Sequence, residues 1–200
     1  NTPHNYIAVE GSSEVDALIE RLKSSRLLAF DTETTSLTPI GATMVGMSFA
    51  VKAGESYWLP IPQDKEQGKY VIERVKEVME DASIPKVGQN IKYDIEVLSA
   101  YHIEVKGELY DTMVAHYLID PESRHGMDTL SRRYLSYRTM SYEEMMGGEK
   151  DIRRVPKDRL KDYACEDADI TLRLWETFEP MLTEKGVKTL FHTLEMPLVK

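Results

Sequence analysis

Three short stretches of this 200-residue chain set acidic side chains at spacings that can cooperate. In Phe30-Asp31-Thr32-Glu33 the two acids are separated by one residue, and because side chains of a strand alternate between faces, Asp31 and Glu33 would project on one side about 7 Å apart. In the stretch from Asn90 to Asp94, and again from Tyr163 to Asp167, two polar residues stand one helical turn apart on a shared face. Each pattern also has a plain reading: a strand running out into solvent, Asn90 as a helix N-cap, a solvated acidic helix face. Together, Asp31, Glu33, Asp94 and Asp167 make an all-oxygen set suited to hard divalent cations such as Mg2+ or Mn2+, not to zinc. Two such ions, ~3.5–4 Å apart, clamp the attacking and leaving oxygens of an in-line displacement at phosphorus, so the expected chemistry is phosphodiester hydrolysis. Tyr163, with an ordinary phenol pKa near ~10, would orient the attacking water rather than take its proton.

The whole composition must accommodate that charge. With 42% apolar and 30% charged residues, the chain reads as one globular domain with a packed core. The net charge is −9, the wrong sign for holding nucleic acid by an overall basic surface. The distribution is uneven, however: residues 121–160 carry a local +2 and seven of the eleven arginines, leaving −11 on the remainder. Two bound divalent ions would supply the positive charge that a phosphate ligand needs. The apolar runs are far shorter than the ~20 residues of a membrane helix, so no membrane span is expected. A single cysteine, Cys165, forms no internal disulfide, which suits a reducing, cytoplasmic setting. The opening Asn1-Thr2-Pro3-His4 has neither an initiator Met nor a signal core, so the chain reads as a fragment. Nothing in the sequence sets an oligomeric state, and a monomer is the default expectation.

The elements that would position these residues follow from periodicity. Val15, Leu18, Ile19 and Leu22 predict a helix over 13–24, capped from Ser12-Ser13. Apolar and β-branched runs predict strands at 27–31, 43–51 and 56–61, successive and antiparallel, with Asp31 at the end of the first. A helix around 71–79, a short strand at 84–88 and a helix over 91–100 come next, then short helices at 112–118, 128–135 and 141–146. A long helix begins at Pro156 and is closed by Gly186. Strands first and helices later give an α/β, or α+β, domain with a mixed central sheet.

The strings FDTETTSL, GQNIKYD and YACEDADITL resemble, in this order, the three exonuclease motifs of the 3′-5′ proofreading domain of bacterial family A DNA polymerases, within the DnaQ-like superfamily. RHGMDTL and the closing FHTLEMPLV resemble the same domain and its join to the polymerase region, so the likeness covers the chain from about Tyr6 to Lys200. The resemblance implies a ribonuclease-H-like sheet flanked by helices, spanning residues 1–186, with 187–200 beginning the link to a polymerase domain. It makes Asp31, Glu33, Asp94 and Asp167 the ligands of two metal ions. Tyr163, four before Asp167, marks the tyrosine subtype, since Asp162 stands where the other subtype has histidine.

The implied activity removes nucleotides singly from the 3′ end of single-stranded DNA, releasing 5′-mononucleotides. Secondary contacts implied by the resemblance are Leu37 wedged against the terminal base, Thr34 near the terminal 3′-hydroxyl, Gln89, Asn90 and Tyr93 near the last nucleotides, Arg124 on a phosphate and Tyr142 stacked on a base. Thr35 departs from the family, which often has an acid there, and Cys165 within the third motif reads as a small buried filler. Two other readings share these residues: a ribonuclease D-like enzyme that trims RNA, and a non-catalytic spacer domain of a polymerase.

Overall fold

The computed structural model describes residues 3–199, so Asn1 and Thr2 of the fragment reading and Lys200 of the joining segment lie outside it. Six strands form one mixed sheet: β1 (Asn5–Ala8), β2 (Leu28–Thr34), β3 (Met44–Lys52), β4 (Glu55–Pro60), β5 (Lys86–Gly88) and β6 (Leu109–Asp111), in the spatial order β1-β4-β3-β2-β5-β6. The predicted antiparallel run is β2-β3-β4, with β3 and β4 joined by a tight turn at Gly54, whose φ of 80° suits a residue lacking Cβ. On either side the pairing turns parallel, β1 to β4 and β2 to β5 to β6. The mixed α/β sheet expected from the sequence is therefore present.

The helices are α1 (Ser12–Lys23), α2 (Lys65–Met79), α3 (Ile91–Ala100), α4 (Thr112–Ile119), α5 (Met127–Leu135), α6 (Tyr142–Met146) and the long α7 (Lys157–Glu184). The last of these crosses β2, β3 and β4 and also meets α4 and α5. Phe30, Phe49, Leu59, Leu174 and Phe178 are buried in the main core, so α7 is held against the central strands by apolar contact. Residues 188–198 form short helical turns whose Phe191 and Met196 join the same core, Phe191 lying beside Trp175.

Several boundaries differ from the sequence reading. The first strand of the core runs to Thr34 instead of stopping at Asp31, because Glu33 and Thr34 continue the ladder opposite Gly46 and Met44. Helix α1 starts at Ser12 from Gly11, with no side-chain cap from either serine. Asn90 does stand at the N-cap position of α3, but in the left-handed region at φ 58°, and its side chain caps nothing. Asp111 does that work instead: its carboxylate accepts from Asn90 N at 3.1 Å and Ile91 N at 2.9 Å, while also capping α4 through Met113 N at 2.8 Å. One buried acid thus closes the N-termini of two helices. Strands β1 and β6, of four and three residues, are not predicted by the sequence pattern.

Candidate active site

Strand β2 brings Asp31 and Glu33 to one side of the sheet, and α7 crosses it with Asp167. Carboxylate oxygens of these three residues all lie within 4.8 Å of one another. Asp94, from the first turn of α3, reaches the same place but is held differently: its Oδ1 accepts from the Thr32 backbone N–H at 2.9 Å and from the Thr32 hydroxyl at 2.6 Å. Glu33 is 6% exposed and Asp94 2%, so these are acids inside the protein rather than a solvated strand end. Gly46, directly across from Glu33, lies against Trp58; a Cβ there would stand 2.3 Å from a ring carbon. The close approach of β3 at this point requires a glycine.

Burial and mutual repulsion act together on the cluster. The carboxyl groups of Asp31, Glu33 and Asp94 are all held well above the ordinary range, first by burial and then by a neighbouring acid, Asp167 for Asp31 and Asp31 for both Glu33 and Asp94. That of Asp167 is pushed up to about 8 by burial and by Glu166. The Tyr163 phenol is raised too, by burial and then by Asp167, Glu33 and Asp31, and so stays protonated as a donor. Oε1 of Glu33 is buried without any hydrogen-bond partner. An unpartnered acid oxygen among repelling acids is the donor set that a bound cation would complete.

The cleft around the cluster, about 290 Å3, brings together almost every residue singled out in the sequence. Asp31, Glu33, Asp94, Tyr163 and Asp167 line it with Thr34, Leu37, Gln89, Asn90, Tyr93 and Tyr142. Leu37 stands 84% exposed at its rim on the loop after β2. The Tyr93 hydroxyl bonds Thr34 and donates to the Ser36 carbonyl, which ties that loop to α3. Gln89 is fixed by its amide, which donates to the His125 carbonyl at 2.8 Å, and by the Thr112 hydroxyl. Arg124 is exposed, next to His125, but does not line the cleft.

The acidic run in α7 is not a solvated face. Asp169 accepts from the Tyr6 hydroxyl at 2.9 Å, Gly54 N at 2.7 Å and Arg173, while Glu166 takes donors from the segment before α6. The sequence reading missed Thr32 and Asp111. Thr32 was visible only as the residue between two acids. Asp111 carried an N-cap signal, an acid directly before an apolar helix, with nothing to show that it serves a second helix as well.

A central strand carrying two acids toward a third on a crossing helix, in a mixed sheet, defines a ribonuclease-H-like α/β nuclease with a carboxylate centre. The family model of the 3′-5′ exonuclease matches residues 6–183, and the chain belongs to that family. It is 37% identical to DNA polymerase I of Pseudomonas aeruginosa and 34% identical to that of Borreliella burgdorferi, in each case over 98% of this chain. It spans only 23% and 22% of the length of those relatives. Among solved structures, Escherichia coli RNase D superposes with a TM-score of 0.78 at 16% identity, over 98% of this chain and 49% of that one. Brucella melitensis NrnC bound to pGG gives 0.77 at 16% identity, over 100% and 90%. These two likenesses show the shared fold. The domain is an exonuclease domain homologous to those of DNA polymerase I, and its family depends on metal ions that the carboxylate cluster could hold.

Proposed function

We propose that this domain removes nucleotides one at a time from the 3′ end of single-stranded DNA and serves as the proofreading site of a longer polymerase chain in the bacterial cytoplasm. The observation that carries the reading is the convergence of Asp31, Glu33 and Asp167, with Asp94 held beside them by Thr32. The four carboxylates would hold two divalent ions, Mg2+ or Mn2+, which when bound supply Lewis acidity and neutralise charge at the scissile phosphate.

The chain's own residues account for the rest. Tyr163 donates its phenol proton to the oxygen of the attacking water and so aims a lone pair at phosphorus. The water gives up a proton to solvent as its oxygen bonds to phosphorus and the bond to the 3′-oxygen of the preceding nucleotide breaks; the departing oxygen takes a proton from solvent in return, and a 5′-mononucleotide leaves. Leu37 wedges at the last base, Thr34 lies near its 3′-hydroxyl, and Gln89, Asn90 and Tyr93 face the last nucleotides. Tyr142 offers a ring for stacking, a contact worth ~1–3 kcal/mol per base that is indifferent to sequence. Arg124 reaches a backbone phosphate beyond the cleft. Residues 187–200 begin the connection to the polymerase domain, and the domain works as a monomer in that chain.

The experiment compares matched 5′-labelled DNA and RNA single strands with Mg2+ present. A ladder shortening from the 3′ end of DNA is expected, lost in Asp167→Ala and slowed about 10- to 100-fold in Tyr163→Phe. Trimming of RNA with DNA left intact would favour the ribonuclease D-like reading, and inertness toward both would favour the spacer.

A further inference from the structure

Glu166 adjoins Asp167 in α7 yet points neither into the carboxylate cluster nor into solvent. It is buried, and both of its oxygens are occupied: Oε1 accepts from the Tyr137 hydroxyl at 2.6 Å and Oε2 from the Met140 backbone N–H at 2.6 Å. Both donors belong to the connection between α5 and α6. That connection opens at Ser136, in the left-handed region at φ 50°, and ends at Ser141. Ser141 and Glu144 cap α6 reciprocally, Ser141 N donating to Glu144 at 2.9 Å and Glu144 N to the Ser141 hydroxyl at 3.1 Å. The first residue of α6 is Tyr142, whose ring lines the cleft.

The constraint therefore runs a short way. Glu166 grips the peptide N–H of Met140, the next residue caps the helix, and the next presents its ring. Met140 itself packs on the small apolar cluster that also supports Tyr163. Two bonds to one carboxylate are among the strongest that a loop can be given, and a half-buried N–H that loses its acceptor is costly. The connection has no regular structure of its own, so its geometry depends on these bonds.

We propose that Glu166 is a positioning residue for the substrate. It locks the 136–141 connection so that Tyr142 stands at a fixed place in the cleft it lines with Asp167 and Tyr163. The same helix then presents the chemistry from one face and sets the grip on DNA from the next. The inference rests on the exonuclease reading above.

Glu166→Gln tests it with almost no change of volume. The amide oxygen can still accept from Met140 N, while the NH2 group faces the Tyr137 hydroxyl, which must turn from donor to acceptor; the charge is lost and two bonds to a carboxylate become two weaker neutral ones. Steady-state shortening of a single-stranded oligonucleotide in Mg2+ is measured for the parent chain, Glu166→Gln, Tyr142→Ala and the double variant. Glu166→Gln is expected to raise KM about tenfold with kcat changed less than about twofold, matching the stacking that the ring supplies. The double variant should be no worse than Tyr142→Ala alone, because both changes act through one ring. Tyr137→Phe, which removes one donor and keeps the peptide bond to Met140, should give a smaller rise in KM. A fall in kcat at constant KM, or effects of Glu166→Gln and Tyr142→Ala that multiply, would overturn the proposal. If Glu166→Gln does not fold, Tyr137→Phe decides alone, an unchanged KM overturning it. A parent chain that does not shorten DNA would defeat the exonuclease reading first, and this inference with it.

Discussion

The backbone N–H and the hydroxyl of Thr32 both donate to one oxygen of Asp94, Oδ1, at 2.9 and 2.6 Å. That arrangement leaves Oδ2 for a ligand and fixes the plane of the carboxylate from the strand that carries Asp31 and Glu33. Thr32→Val keeps the N–H and deletes the hydroxyl. The expected outcome is a turnover on single-stranded DNA lower by about 10- to 100-fold, the usual result of a small misplacement at a reacting centre. A variant with parental kcat would show that the hydroxyl holds nothing of consequence.

Self-repulsion in the cluster should make the chain more stable when one acid is neutralised. Asp31→Asn is expected to abolish activity and yet raise the unfolding free energy in the presence of a chelator by about 1–3 kcal/mol. The sign against pH is the same. Acids whose folded pKa is raised, up to about 8 for Asp167, hold protons that the unfolded chain releases near ~4. Their contribution to metal-free stability therefore declines as pH climbs through that window. Denaturant titrations of both chains in EDTA measure it, and a destabilised Asp31→Asn would contradict the picture.

His116 predicts a slope of the opposite sign. Its buried ring meets His125 Nδ1 to Nδ1 at 2.7 Å and the Tyr134 hydroxyl at 3.0 Å, and burial, then His125 and Arg133, lower its pKa to about 4. The unfolded imidazole charges near ~6.5, so stability is lost as pH falls from there to about 4. His116→Gln cannot charge. The parent's stability should fall relative to this variant by about 1–3 kcal/mol between pH 7 and 4.5, read from urea unfolding in EDTA. Parallel pH curves for the two chains would refute the assignment.

Arg124 is exposed and has no ion pair among the described residues. If it meets a backbone phosphate, Arg124→Ala should weaken binding of single-stranded DNA and reduce the slope of log K against log salt by about 0.7. Fluorescence anisotropy across a salt series gives that slope, and an unaltered value would make Arg124 ordinary surface.

Much of the site was legible because its signals are local. The alternation of a strand put Asp31 and Glu33 on one side, and the helical turn put Tyr163 with Asp167, before any tertiary contact was known. What stayed hidden depends on partners distant in the chain. Strand β1 has four residues and pairs in parallel with β4 some fifty positions later, and β6 has only three, too few for any periodicity. Asn90 has the residue type of a cap, but its backbone is left-handed and the cap comes from Asp111, twenty-one residues on. The acids of β2 looked like the end of a strand because buried acids are rare; burial by β3 and α7 carries the strand past them.

Strand β5 stops early. It pairs with β2 only at Leu28 and Ala29, so among the described residues the far end of β2 has no strand partner on that flank, and the N–H of Thr32 turns to a side chain for its acceptor. The chamber exists because the sheet was left unfinished. Had β5 run two residues further, its main chain would have zipped across the opening and filled the place of Asp94. In this molecule room for a reaction is created by omission, and any graft that completes the missing edge would seal the enzyme shut.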